Sequence, residues 1–183
     1  MLLYMALKII DISDYTPKFT DTFFFDNNIW MFLFCPIGSH NQRKQSIYSA
    51  FLDVLIQRRA TILVNSLVIS EFTNASLRLD YNLWNRETGV NHDFKKDYVG
   101  SDRYSETVDE IKAALNNIFK LSQRVPDDFN AINISAIQGH LENIDFNDSY
   151  YIEQAAMKNW IIVTDDRDFR NYKGHNSTIL TSV

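Results

Sequence analysis

The sequence predicts an α/β protein in which helices pack on a short parallel sheet. Two patterns carry that expectation. Short apolar runs of strand length alternate along the chain with longer stretches whose apolar residues recur every three or four positions. The short runs are also apolar at successive positions, as a strand covered on both faces must be, and parallel sheets are covered in that way.

Thr22–Phe25 reads as the first buried strand and ends abruptly at Asp26-Asn27-Asn28. From Gln42 to Arg59 the chain reads as a helix, with Ile47, Phe51, Val54 and Leu55 on one stripe opposite charged residues. Thr61–Val64 is a second strand. Asn65 or Ser66 can then cap a helix in which Val68, Phe72, Ala75 and Leu79 recur at helical spacing. Asn82 to Gly100 is polar and mixed and reads as an irregular connection. Ser105 is placed to cap the next helix, built on Val108, Ile111, Leu115 and Ile118, and Val125-Pro126 to stop it. A short helix is expected over Ile132 to Leu141. Asn147 or Asp145 can cap a helix with a stripe of Tyr151, Ile152, Ala155 and Ala156, which puts Asp148 in the first turn, where the helix dipole favours negative charge. Trp160–Thr164 is a β-branched strand followed at once by the acidic loop Asp165–Phe169, and Ile179–Thr181 adds a last strand.

At 183 residues, with 45% hydrophobic and 22% charged side chains, the chain fits one domain with a real core and excludes a disordered or linker-rich protein. The single cysteine, Cys35, follows the apolar run Trp30–Phe34, cannot form an internal disulfide, and reads as a small buried hydrophobe. The apolar start Met1–Ile10 carries Lys8 and lacks a small-residue cleavage pattern. Phe23–Phe34 is broken by Asp26-Asn27-Asn28, well short of the roughly 20 apolar residues a bilayer demands. A cytoplasmic protein without a membrane segment is therefore expected. The formal net charge of −5 sits awkwardly with nucleic-acid handling, an objection that weakens if the acids are gathered in one pocket. The basic pairs Arg43-Lys44, Arg58-Arg59 and Lys95-Lys96 read as solvated faces rather than phosphate contacts.

Three acids hold telling positions. Asp26 follows one buried strand, Asp166 follows another, and Asp148 opens a helix. In open parallel sheets ligands bind beyond the carboxyl ends of the strands, so these residues are placed to share a crevice. Glu71 lies five residues past Ser66, about one and a half helical turns in, near the same end. Carboxylates gathered in low dielectric cannot all stay ionised without a cation. An oxygen-only donor set without His or Cys favours Mg²⁺ or Mn²⁺. Asp at a strand end or helix start is, taken singly, more often a cap or turn residue; the joint placement is what argues for a site.

These same segments resemble the motifs of the PIN-domain family. Asp26-Asn27-Asn28-Ile29-Trp30 after its strand resembles the opening motif, and Leu67-Val68-Ile69-Ser70-Glu71-Phe72 the second. Asn147-Asp148-Ser149-Tyr150-Tyr151-Ile152 with Ala155-Ala156 resembles the third, and Ile162-Val163-Thr164-Asp165-Asp166-Arg167-Asp168-Phe169 the closing one. The resemblance spans about residues 22 to 183. It implies a three-layer α/β/α sandwich with a short central parallel sheet, and Mg²⁺- or Mn²⁺-dependent cleavage of RNA. It implies that Asp26, Glu71, Asp148 and Asp166 are the catalytic, metal-holding acids, with Asn28, Thr164 and Asp168 in support. Asp165 and Asp168 compete with Asp166 for the fourth position. Many small relatives are toxins of toxin–antitoxin pairs that dimerise and are held inactive by a partner, so an RNA substrate, an antitoxin protein and a homodimer are the implied partners. The chain departs from the compact pattern in an N-terminal extension, 1–21, and an insertion over about 81–126.

The working expectation is hydrolysis of single-stranded RNA by one PIN-like domain, 1–183. Its rival is a catalytically inactive PIN-like module that binds RNA or protein; a phosphatase on a related sheet is disfavoured because Asn28 stands where a second Asp would be needed. Arg167 reads as half of a structural ion pair, and Tyr150, Tyr151 and Trp160 as core rather than base-stacking platforms.

Overall fold

In the computed structural model, residues 7–37, 41–172 and 177–182 are described; the first six residues of the apolar start lie outside them. The chain runs β1 (Lys8–Asp11), β2 (Thr22–Phe25), α1 (Asn27–Phe34), α2 (Gln42–Gln57), β3 (Thr61–Val64), α3 (Ser66–Thr88), α4 (Asp102–Leu121), β4 (Gln123–Arg124), α5 (Ile134–His140), α6 (Phe146–Lys158), β5 (Ile161–Val163) and β6 (Thr178–Thr181). The strands form one six-stranded sheet in the order β1-β6-β5-β2-β3-β4, with every pairing parallel.

Alternation along β2 sets the layers. Successive side chains of a strand leave on opposite faces. Phe23 meets Phe51 of α2 edge-on at 5.8 Å, and Phe25 meets Trp30 of α1 at 5.1 Å. Phe24, between them, meets Tyr151 of α6 at 5.1 Å and stacks on Trp160 at 5.9 Å. All three phenylalanines are buried. Helices therefore cover both faces of the sheet, and the expected α/β sandwich is what the chain forms. Cys35, Tyr150 and Tyr151 are buried, as expected of core residues, and Trp160 packs against the core.

Several elements differ from the sequence reading. The irregular connection expected from Asn82 begins instead as six more residues of α3 and then Thr88, ending at Gly89, whose φ of +67° supplies a left-handed cap. The buried stripe of α3 is Val68, Phe72, Ser76 and Asp80. Its last two members are polar, so the apolar repeat fades before the helix does. Ser101, not Ser105, caps α4 by accepting from the Tyr104 N–H at 3.1 Å, and α4 ends at Leu121, ahead of Val125-Pro126. The next residues form β4, an exposed two-residue edge strand beside β3. The N-terminal extension also supplies a strand, since β1 pairs with β6 from Lys8 opposite Thr178 to Asp11 opposite Thr181. Helix α1, made largely of aromatic and branched residues of modest helix propensity, was hidden inside an apolar run.

The segment expected as an insertion is fastened to the body by a polar knot. Asp80, buried on α3, accepts from Tyr98 Oη (2.9 Å), Thr107 Oγ1 (2.9 Å) and Arg103 Nη2 (2.6 Å). Burial alone would raise the Asp80 carboxyl, but bonds from Arg103, Tyr98 and Thr107 outweigh it and hold it below the usual carboxylate range. An aromatic cluster surrounds the knot, with Trp84 stacked on His92 at 3.8 Å and Arg78 over the Phe94 ring at 3.9 Å.

Candidate active site

Strand order reverses at the middle of the sheet: from β2 the chain moves outward through β3 to β4, and β5 and β6 lie on the other side. Crevices at such a reversal, beyond the carboxyl ends of the strands, are where α/β sheets hold ligands. Asp26 and Thr164 follow the two strands that flank it, and the Asp26 N–H bonds the Val163 carbonyl at 3.0 Å.

Asp26 caps α1 and is also the centre of a network. Its Oδ1 accepts from the Asn27 N–H (2.6 Å), while Oδ2 accepts from Asn28 Nδ2 (2.6 Å) and Thr164 Oγ1 (2.7 Å). Thr164 Oγ1 in turn accepts from Asn28 Nδ2 and from the Asp166 N–H, both at 3.0 Å, and Asn28 Oδ1 accepts from the Asp165 N–H at 3.0 Å. Asn28 and Thr164 thus tie the β2 end to the β5 loop. Asp168 touches the site only through its backbone, whose N–H donates to Asp166 Oδ1 at 2.8 Å; its side chain is exposed.

Glu71 on α3 accepts from Tyr151 Oη at 2.8 Å and from the Asn147 side-chain amide, so two α6 residues fix its carboxylate. Sequence reasoning missed both contacts: Asn147 competed for a capping role, and Tyr151 fell on the core stripe, where only its ring was legible. The cap is Asp145, which accepts from the Asp148 N–H at 2.9 Å and leaves Asp148 itself in the first turn, nearly buried.

The acids sense one another. Burial pushes the Asp148 carboxyl up to about 9, with further upward pressure from Asp26, Asp145, Asp166 and Glu71. Burial likewise raises Asp26 to about 7; the Thr164 bond opposes this, and Glu71 and Asp166 add to it. Among the described residues no ion pair reaches Asp26, Glu71, Asp148 or Asp166. Nor do three Asp, Glu, His or Cys side chains there already grip a common point as a metal cage would. Asp165 behaves differently: its Oδ1 accepts from Lys44 Nζ (2.7 Å), Tyr48 Oη (2.7 Å) and Ser182 Oγ (3.0 Å). These bonds occupy Asp165, whereas the charge of its exposed neighbour Asp166 is felt by Asp26 and Asp148. Lys44, expected on a solvated face, is its partner. Arg167, expected in an ion pair, makes none among the described residues.

A family model described as the PIN domain matches residues 23–175, a span that holds every residue of this cluster. No curated protein matches the sequence. Among solved structures, the chain is similar to VapBC2 from Rickettsia felis, crystallised bound to a DNA fragment from their promoter. The TM-score is 0.52 at 13% identity, over 86% of this chain and 98% of that one. At that identity the likeness speaks to the fold. No helix among the described residues is long and apolar enough to cross a membrane.

Proposed function

The chain belongs to the PIN-domain family, whose members are generally nucleases, and from that premise we propose that it is a Mg²⁺- or Mn²⁺-dependent endoribonuclease acting on single-stranded RNA. The observation that carries the reading is a set of four mutually repelling carboxylates at the reversal point of the sheet, without a paired cation among the described residues. Oxygen-only donors suit a hard divalent ion, which would offset the repulsion that now favours protonation of Asp26 and Asp148. Asp26, Asp148 and Asp166 would hold it, with Glu71 completing the set. A bound ion supplies charge neutralisation at the scissile phosphate.

The chain's own side chains do the rest. Asn28 and Thr164 fix Asp26 Oδ2, so one carboxylate edge is already oriented. Tyr151 and Asn147 hold Glu71 as the group that orients the attacking water for in-line displacement. An antitoxin-type protein partner and self-association fit the reading, VapBC2 being a structural relative. Asp26→Asn is expected to abolish RNA cleavage in Mn²⁺ while the chain still folds, because the loss of a repelling charge offsets the loss of one accepting oxygen. Cleavage by that variant at the wild-type rate would refute the site, and a wild-type chain that neither binds Mn²⁺ nor cuts RNA would favour a non-catalytic binding module.

A further inference from the structure

An open cleft of about 500 Å³ adjoins the acid cluster, lined by Asn28, Phe32, Lys44, Asp165, Asp166 and Arg167. It shares Asn28 and Asp166 with the proposed site, yet its other walls have a different chemistry. Lys44 is committed to Asp165 at 2.7 Å and Ser182 at 2.8 Å, both bonds buried from most solvent, so it stiffens the wall without offering a vacant charge. The exposed Arg167 guanidinium has no ion-pair partner among the described residues. Phe32 contributes an aromatic plane that is half-buried and stacked on Tyr48 at 5.8 Å with the rings 1° from parallel.

We infer that this cleft is a nucleotide subsite for single-stranded RNA, in which Arg167 binds the phosphate neighbouring the scissile one and Phe32 stacks the attached base. The inference rests on the ribonuclease reading and adds the route by which substrate is held. A cluster of carboxylates repels a polyanion, so affinity must come from groups beside it. Arg167 supplies a fork of donors matched to phosphate. A ring already held parallel and offset against Tyr48 loses little freedom when a base stacks on it, and such stacking accepts any base.

The test measures binding of a fluorescent single-stranded RNA oligomer to the Asp26→Asn protein, so that cleavage does not intervene, over a range of salt concentrations. Arg167→Ala is expected to weaken binding about tenfold and to flatten the slope of log Kd against log salt by about 0.7, the signature of one lost phosphate contact on a single strand. Arg167→Lys should keep the slope and recover part of the affinity. Phe32→Leu should weaken binding roughly fivefold or more at an unchanged slope. Unchanged affinity and slope in Arg167→Ala would overturn the subsite, even if the wild-type chain cuts RNA. Weakened binding with the altered slope would uphold it, even if no cleavage were ever seen.

Discussion

Thr164 is the residue through which the site is wired. It donates to Asp26 and accepts from both Asn28 and the Asp166 backbone, and it is fully buried. Thr164→Val keeps the shape and removes all three bonds, leaving the Asp166 N–H and the Asn28 amide short of partners. The expected cost is on the order of 1–3 kcal/mol in denaturant unfolding. The Asp26 carboxyl should also rise further, since the Thr164 bond holds it down; NMR titration of that carboxyl would check it, and no shift would mean the bond has little electrostatic weight. At this scale the sequence offered candidates and was silent about contact. Asp26, Glu71, Asp148 and Asp166 could be named from strand ends and helix starts. The Asn147 and Tyr151 bonds to Glu71 could not, because they join residues about 80 apart, and no local spacing encodes such pairs. Arg167 is a similar case: a lone arginine among acids suggests a local pair, yet among the described residues it makes none and lines the cleft.

Elements were legible where a buried face is purely apolar and hidden where it is not. Strands β2, β3 and β5 stood out because both faces are covered. The end of α3 did not, since Ser76 and Asp80 occupy the stripe that should be apolar; β4 is an exposed Gln-Arg edge without a strand's hydrophobic signature, and β1 is a mostly exposed edge whose two isoleucines are flanked by charges. The Asp80 knot that obscured α3 is also what fastens α4. Asp80→Ala would take the shared acceptor from Tyr98 and Thr107 and leave Arg103 paired with Glu87 alone, at an expected cost of about 3 kcal/mol. The loss should be local: amide exchange over Asp102–Leu121 should quicken while the central strands stay protected. Uniform acceleration across the sheet would show that α4 is not a separable layer.

For the whole molecule, the shifted carboxyls make stability depend on pH in a definite sense. Asp26, at about 7, and Asp148, at about 9, hold protons in the folded chain that the unfolded chain releases near pH 4. Their contribution is full below pH 4 and is lost as pH rises through 7 and then 9. Asp80, held low, works in the opposite direction and loses its contribution in acid. The metal-free Tm should therefore fall from mildly acidic conditions toward pH 9, and Asp148→Asn should flatten that decline. Mn²⁺ should raise Tm more at pH 8 than at pH 5, because protons compete for the same oxygens. A metal-free Tm that is level between pH 5 and 9 would mean the acids are not coupled in solution.

The all-parallel order of the sheet has a bearing on timing. Parallel neighbours cannot be joined by a tight hairpin, so every rung of this sheet waits for a crossover to be completed. The bond from Thr164 to Asp26 closes a loop of 138 residues. A nascent chain that has emerged only past α3 carries Asp26 and Glu71 but neither Asp148 nor the β5 loop. Until the late strands slot in beside β2, the early acids stand alone, and the full cluster cannot assemble before the last third of the chain has been made.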